Sequence, residues 1–178
     1  MITFRLAHEA DAAALPDIEQ SAGEAYRDIA ELAWIADDDN QTVERYEQLI
    51  SQDTSWVAIG HDGRPVAFLS AEILDDTLHV WELAVRLDWQ RKGIGRALLE
   101  EAIADAKRRG LIALSLTTFR DVIWNAPFYQ KLGFRILEDA EVGERLRGVL
   151  RREVALGMPE NRRCAMRLDL SQSKPSGC

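Results

Sequence analysis

The residues with the most chemical promise lie between His79 and Leu98, in HVWELAVRLDWQRKGIGRAL. Gly93 and Gly95 let backbone amides approach a ligand closely, because no side chain stands in the way. The apolar run Val80, Trp81, Leu83, Ala84 and Val85 before them predicts a buried strand. The residues after them, Ile94, Ala97, Leu98, Ala102, Ile103 and Ala106, recur at helical spacing, with Arg96, Glu100, Asp105 and Lys107 on the opposite face. The glycines therefore sit where a strand turns into a helix, and amides of a first helical turn have no intrahelical acceptor and favour an anion. Arg91, Lys92 and Arg96 bring positive charge to the same place. A phosphate or pyrophosphate is the natural guest; the alternative is a turn that merely needs its glycines, with a solvated basic rim.

Two familiar phosphate loops are excluded by spacing. A P-loop needs Gly-Lys-Ser/Thr after four intervening residues, whereas Gly95 is followed by Arg96 and Ala97. A dinucleotide fingerprint needs a third glycine where this chain has Leu98. A second stretch, Asn125-Ala126-Pro127-Phe128-Tyr129-Gln130-Lys131-Leu132-Gly133-Phe134, predicts a short helix. Asn125 is its expected N-cap and Pro127 falls in the first turn, where a missing donor costs little. Phe128 and Leu132, four apart, are expected to face the core, Tyr129 to point elsewhere, and Gly133 to end the helix.

Together the two stretches resemble the GNAT acetyltransferase superfamily. Gln90-Arg91-Lys92-Gly93-Ile94-Gly95 matches its Q/R-x-x-G-x-G/A loop, and Asn125 to Phe134 is similar to its second element. The resemblance implies a GNAT fold: α+β, with a mixed, mostly antiparallel sheet of about seven strands flanked by helices and splayed between the fourth and fifth. It also implies acetyl-coenzyme A as co-substrate. The pantetheine arm would bond the backbone around Leu83, Ala84 and Val85, and the pyrophosphate would rest on the amides of Arg91, Lys92, Gly93, Ile94, Gly95 and Arg96, with Gln90, Asn125 and Phe128 also lining the coenzyme site.

In that superfamily a tyrosine at the position of Tyr129 often protonates the departing thiolate. A phenol of pKa about 10 gives its proton to a thiolate whose acid has pKa about 8.5 only when well positioned. The alternative is a half-buried Tyr bonded to backbone. An alkylammonium of pKa about 10 must also lose a proton before it can attack a thioester. Glu82, in an otherwise apolar strand, is the expected base: burial beside Trp81 and Leu83 would raise its pKa toward neutrality. An outward-facing or ion-paired Glu82 is the competing reading. The amide of Val85 would stabilise the oxyanion.

The whole chain sets the bounds. Its 178 residues, 47% apolar and 29% charged, make one soluble domain, expected over 1–170 with a tail at 171–178 that reads as disordered. No apolar run spans a membrane and no signal segment opens the chain. Cys164 and Cys178 give no disulfide framework, so a reduced, cytoplasmic setting is expected. His8, His61 and His79 are dispersed, and no metal site is expected. A formal charge of −8 argues against general nucleic-acid binding. Between Glu9 and Asp53 stand 13 acids against Arg27 and Arg45, a surface that would attract a cation if it is more than a solvated face.

Element order follows from pattern. Ile2, Phe4 and Leu6 predict a first strand, Asp11 to Gln20 a helix, and Asn40 the cap of a helix carrying Val43, Tyr46, Leu49 and Ile50. SWVAIG, a turn at HDGR, and Pro65 to Leu74 predict a hairpin, with Asp75-Asp76-Thr77 turning into the central strand. Gly110 stops the long helix, Ala113 to Phe119 is a strand, and Phe134 to Leu137 and Cys164 to Leu170 are the last two. Between these a helical insertion, 141–157, carries Val142, Leu146, Val149, Leu150 and Val154; it would cover the acceptor site or form a homodimer face. The function expected is acetyl transfer to a primary amine of a small molecule. A protein N-terminus or lysine as acceptor, an acyl-coenzyme A sensor without turnover, and a nucleotide-binding module stay open.

Overall fold

The computed structural model describes residues 1–170; the tail expected at 171–178 lies outside them. Seven strands form one sheet in the order β1-β2-β3-β4-β5-β7-β6. They are β1 (Thr3–Leu6), β2 (Ser55–Ile59), β3 (Pro65–Leu74), β4 (Thr77–Val85), β5 (Ala113–Phe119), β6 (Arg135–Ile136) and β7 (Arg163–Asp169). The helices are α1 (Leu15–Gly23), α2 (Val43–Ile50), α3 (Ile94–Arg108), α4 (Ala126–Gln130) and α5 (Glu144–Ala155). β1 with β2, β2 with β3, β5 with β7 and β7 with β6 pair antiparallel, while β4 and β5 run parallel. The parallel register joins Thr77, Leu78 and His79 to Ala113, Leu114 and Ser115, although β4 continues to Val85 and β5 to Phe119. Parallel neighbours need a crossover, and α3 supplies it. The expected α+β fold, a mixed, mostly antiparallel sheet of seven strands flanked by helices, is the one observed, and the fourth and fifth strands pair over three residues.

The described residues divide into two compact units, Met1–Ile73 with Val80–Asp105, and Leu74–His79 with 106–170. In the first unit, Tyr46, Leu49 and Ile50 occupy one face of α2 at i, i+3 and i+4 and are buried with Leu15, Ile18, Val57, Phe68 and Ala84. Burying each such side chain stabilises by about 1.5–3 kcal/mol, so this cluster seats the N-terminal helices on the sheet. Two helix starts differ from expectation. The chain does not enter α1 at Asp11: a 3-10 turn covers Glu9–Ala14, and α1 begins with Pro16 in its first turn. Asp11 is held instead by Arg5, at 2.7 and 3.0 Å, and by the His8 amide at 2.7 Å. α2 is capped by Thr42, whose Oγ1 accepts from the Arg45 amide at 3.2 Å, not by Asn40. Asn40 lies too far upstream to reach those amides and donates to Gln20 Oε1 at 2.9 Å.

In the second unit β7 lies between β5 and β6, pairing with β5 over seven residues from Ala113↔Asp169 to Phe119↔Arg163. Where a helical insertion over 141–157 is expected, a 3-10 turn at Asp139–Glu141 is followed by α5, which ends at Ala155. Leu146 and Val149 are buried, with Leu150 packed against Leu137, Val142 and Ala165, but Val154 turns outward. What holds the end of α5 is polar. Glu153 accepts from Thr117 on β5 at 2.5 Å and pairs with Arg163 on β7 at 2.8 Å, while the Arg163 guanidinium stacks over Phe119 at 4.5 Å. The Arg163 side chain is only 8% exposed, so removing its carboxylate leaves a buried charge short of its partner. Glu153→Ala should cost about 3 kcal/mol in urea unfolding. A cost as small as that of an exposed pair, under about 1 kcal/mol, would show that α5 is held by its apolar face alone.

Candidate active site

The glycine loop belongs to the first unit. β4 ends at Val85, a single 3-10 turn covers Leu87–Trp89, and the chain then turns sharply: Arg91 has φ +60° and Gly93 φ +77°. The side-chain amide of Gln90 donates to the Val85 carbonyl at 3.0 Å and ties the loop to the strand end. A Cβ at Gly93 would meet nothing within 4 Å, so the space over this residue is open. The first bond closing α3 runs from the Ala97 amide to the Gly93 carbonyl at 3.0 Å, so the amides of Ile94, Gly95 and Arg96 precede the intrahelical ladder.

The three expected cations are not equivalent. Lys92 turns back, its Nζ donating to the Asp88 carbonyl at 2.9 Å and lying 4.9 Å from the centre of the Trp89 ring. Arg96 pairs with Glu100 one turn on, at 2.8 Å. Arg91 makes no hydrogen bond or ion pair among the described residues. Its guanidinium and the three amides are the groups that an anion could recruit without breaking a contact.

On β4, Glu82, Leu83 and Val85 are half-buried and Ala84 is buried. Ala84 belongs to the core cluster around Tyr46, and Trp81 packs against it. Trp81 donates through Nε1 to Glu72 at 2.9 Å, and Arg45 also reaches Glu72, at 3.3 Å. Glu82 is thus less enclosed than the sequence predicts, and its charge is felt by Tyr46. The Tyr46 ring is completely buried, edge-on to Phe68 at 5.1 Å. Burial, then the charges of Glu82 and Glu19, hold its phenol far above the ordinary tyrosine value.

Sequence reasoning missed Glu19. Its Oε2 accepts from the Tyr46 hydroxyl at 2.6 Å and from the Gln41 amide at 3.1 Å. Burial raises this carboxyl above its ordinary value, the two donors oppose the rise, and the charge of Asp38 adds to it. The only signal available in the sequence was a glutamate one residue after buried Ile18 in an acidic stretch, which marks a surface position equally well.

In the second unit Tyr129, Asn125 and Phe128 come together on α4. Tyr129, with Ala126, is the buried residue, while Phe128 and Leu132 are half-buried, the reverse of the expected arrangement. α4 is a single turn, so an i, i+4 stripe has no length to form, and the face at i, i+3 points inward. The Tyr129 ring is edge-on to Phe128 and Phe134 at 5.1 and 5.6 Å. Asn125 is not a side-chain cap; its Oδ1 accepts from Thr118 on β5 at 2.5 Å. Ser115 on the same strand meets His79 Nδ1 at 2.9 Å, both buried, within the three-residue pairing of β4 and β5.

The Acetyltransferase (GNAT) family matches residues 17–134, which include both motifs. The chain belongs to the GNAT family. The match covers Glu19 and Tyr46 as well as the glycine loop and α4, and α5 lies beyond it. Among curated relatives, 73 residues are 34% identical to the [Ribosomal protein bS18]-alanine N-acetyltransferase of Escherichia coli strain K12, covering 41% of this chain. The aligned stretch spans about half, 49%, of that relative's own length. Among solved structures, the PaiA N-acetyltransferase of Thermoplasma acidophilum, in complex with coenzyme A, shares 18% identity at a TM-score of 0.69, over 96% of this chain and 99% of that one. The ribosomal-protein-S18-alanine N-acetyltransferase of Escherichia coli shares 19% at 0.69, over 100% and 99%. These likenesses concern the fold.

The GNAT loop depends on one backbone angle. Gly93→Ala should destabilise the protein by about 1 kcal/mol, because φ +77° puts a Cβ too close to its own carbonyl while touching nothing else. Chemical unfolding checks this; an unchanged midpoint would mean that the loop relaxes to a negative φ and that the turn is not fixed.

Proposed function

We propose that this GNAT-family protein transfers the acetyl group of acetyl-coenzyme A to a primary amine of a small molecule, by direct attack of the amine on the thioester. The observation that carries the reading is the start of α3: three amides ahead of the helical ladder, an open left-handed glycine and the uncommitted Arg91, placed immediately after β4. Those groups would hold the pyrophosphate, with Gln90, Lys92, Gly93, Ile94, Gly95 and Arg96 forming the loop. The backbone of Leu83, Ala84 and Val85 would bond the pantetheine arm, and the Val85 amide would donate to the thioester oxygen as charge develops on it. Asn125 and Phe128 complete the proposed coenzyme contacts.

In this reading Tyr129 donates the proton that the leaving thiolate requires. A buried ring gripped by two aromatic edges places its hydroxyl reproducibly, which offsets the unfavourable pKa gradient from phenol to thiolate. The amine must arrive as a cation and react as a neutral nucleophile, so a carboxylate must take a proton, and Glu82 on β4 is the residue that the sequence nominates. The 13 acids from Glu9 to Asp53 suit a cationic acceptor. A cytoplasmic setting is in keeping with Cys164, a buried free thiol.

A second acceptor class has a specific observation in its favour. The 34% identity to a ribosomal protein bS18-alanine N-acetyltransferase supports a protein N-terminus as the alternative. The test is acetyl-coenzyme A-dependent thiol release over a panel of small amines, aminoglycosides and peptides with free N-termini. Tyr129→Phe should lower kcat about 100-fold while leaving coenzyme affinity intact. Equal turnover would mean that the thiolate leaves unaided. Gly93→Glu should weaken acetyl-coenzyme A binding, measured by calorimetry, at least about tenfold by setting a carboxylate where phosphate charge must sit. Unchanged affinity would remove the loop from the reading. Coenzyme binding with no transfer to any acceptor would favour a sensor.

A further inference from the structure

Three groups of the first unit meet around one phenol. Tyr46 is wholly buried in the cluster that includes Ala84, within the Leu83 to Val85 stretch of β4. Its hydroxyl projects from that cluster onto Glu19 of α1 at 2.6 Å. The Gln41 amide donates to the same Glu19 oxygen, and the Gln41 segment is pinned to α1 by its neighbours: Gln20 donates to the Ala36 carbonyl and accepts from Asn40. Glu19 is therefore held from two directions on Oε2, while Oε1 accepts no hydrogen bond among the described residues. No fully buried side-chain oxygen among them lacks a partner, so Oε1 reaches solvent. Among the described residues no cation pairs with the group. Arg45, next to Tyr46 in the sequence, is engaged with Glu72 and Trp81, and the charge that acts on Glu19 is that of Asp38.

Resting on the acetyl-transfer reading above, we infer that Glu19, rather than Glu82, accepts the proton of the incoming ammonium, and that Tyr46 is its positioning residue. The proton passes from R–NH3+ to Glu19 Oε1, directly or through one water, leaving R–NH2 with its lone pair free. The N–C bond then forms at the thioester carbonyl as the C–S bond breaks. The second proton lost from nitrogen balances the one that the thiolate takes, and Glu19 returns its proton to solvent.

Each feature of the cluster serves that step. A carboxylate with both oxygens paired, or matched with an arginine, is too weak a base; this one keeps an oxygen open and has no counterion. Burial places its titration above the ordinary carboxylate range, nearer the pH at which it must work. Besides burial, the groups that set it are Tyr46 from α2 and the Gln41 amide and Asp38 from the segment before α2; Glu82 of β4 acts on the Tyr46 phenol. Tyr46 cannot take the proton itself, because burial between two carboxylates keeps it protonated, so it remains a donor throughout.

The experiment is the pH profile of kcat/KM with the acceptor found above, for the unmodified protein, Glu19→Gln, Tyr46→Phe and Glu82→Gln. The unmodified protein should gain activity through a limb above the ordinary carboxylate range of about 4.3. Glu19→Gln should lose that limb and about 100-fold in kcat at neutral pH, with acetyl-coenzyme A affinity kept, and the deficit should narrow as pH approaches the amine's own pKa of about 10. Tyr46→Phe keeps the ring and the fold but withdraws a donor from the carboxylate, so its limb should move to higher pH. Glu82→Gln should retain the limb. A limb retained in Glu19→Gln and lost in Glu82→Gln, or a Glu19→Gln deficit equal at every pH, would overturn the inference and leave acetyl transfer standing. No transfer by the unmodified protein to any amine would overturn the underlying reading, and the inference with it.

Discussion

A polar side chain taken out of water must find a partner, at a cost of about 1–3 kcal/mol if it fails, and this requirement organises both units of the chain. Tyr46 can be buried completely because Glu19 receives its hydroxyl. His79 can sit inside the β4–β5 pairing because Ser115 faces it, and Asn125 can be buried ahead of α4 because Thr118 donates to it. Arg163 is tolerated beneath α5 because Glu153 and the Phe119 face receive its charge. Three polar positions of β5, Ser115, Thr117 and Thr118, are thereby committed to holding structure. They are not free to greet an acceptor.

The glycine loop works by the opposite rule. Three amides at the start of α3 precede the helical ladder, and Arg91, which is exposed, has no partner among the described residues. The other two cations of the loop are already spent on local contacts, Lys92 on Asp88 and Trp89, Arg96 on Glu100. Net charge in a motif is thus a poor guide to the charge that a ligand would feel. Counting Arg91, Lys92 and Arg96 as equals overstates the electrostatic term, and the oriented amides become the larger share of what the loop offers.

What was legible in the sequence was local. The succession of strands and helices along the chain, the hairpin at HDGR, and the stop of the long helix at Gly110 follow from periodicity and turn chemistry within windows of a dozen residues, whereas the arrangement of strands in the sheet was implied by the family resemblance. The glycine loop was legible for the same reason: its geometry is set by residues adjacent in the chain. Errors occurred where a partner came from elsewhere. Asn125 and Asn40 both look like caps, yet each is drawn to a side chain on another element, Thr118 and Gln20. Asp11 looks like a helix start but is claimed by Arg5. Tyr129 was expected to turn aside from the core because i, i+4 logic presumes a longer helix than α4 provides.

Glu19 shows why a contact between distant segments is harder to read than a local loop. It is joined to Tyr46 across 27 residues and to Gln41 across 22, and neither spacing has a period that a sequence scan can detect. The contact exists because α1 and α2 pack on one cluster, and that packing is specified by Leu15, Ile18, Leu49 and Ile50, none of which is polar. The apolar residues therefore set where the carboxylate stands, and the carboxylate in turn satisfies the buried Tyr46 hydroxyl. The glycine loop and the Glu19 carboxylate are thus set by different parts of the chain. That separation follows from burial: the loop's geometry is backbone, whereas the geometry at Glu19 is side chain on a packed scaffold.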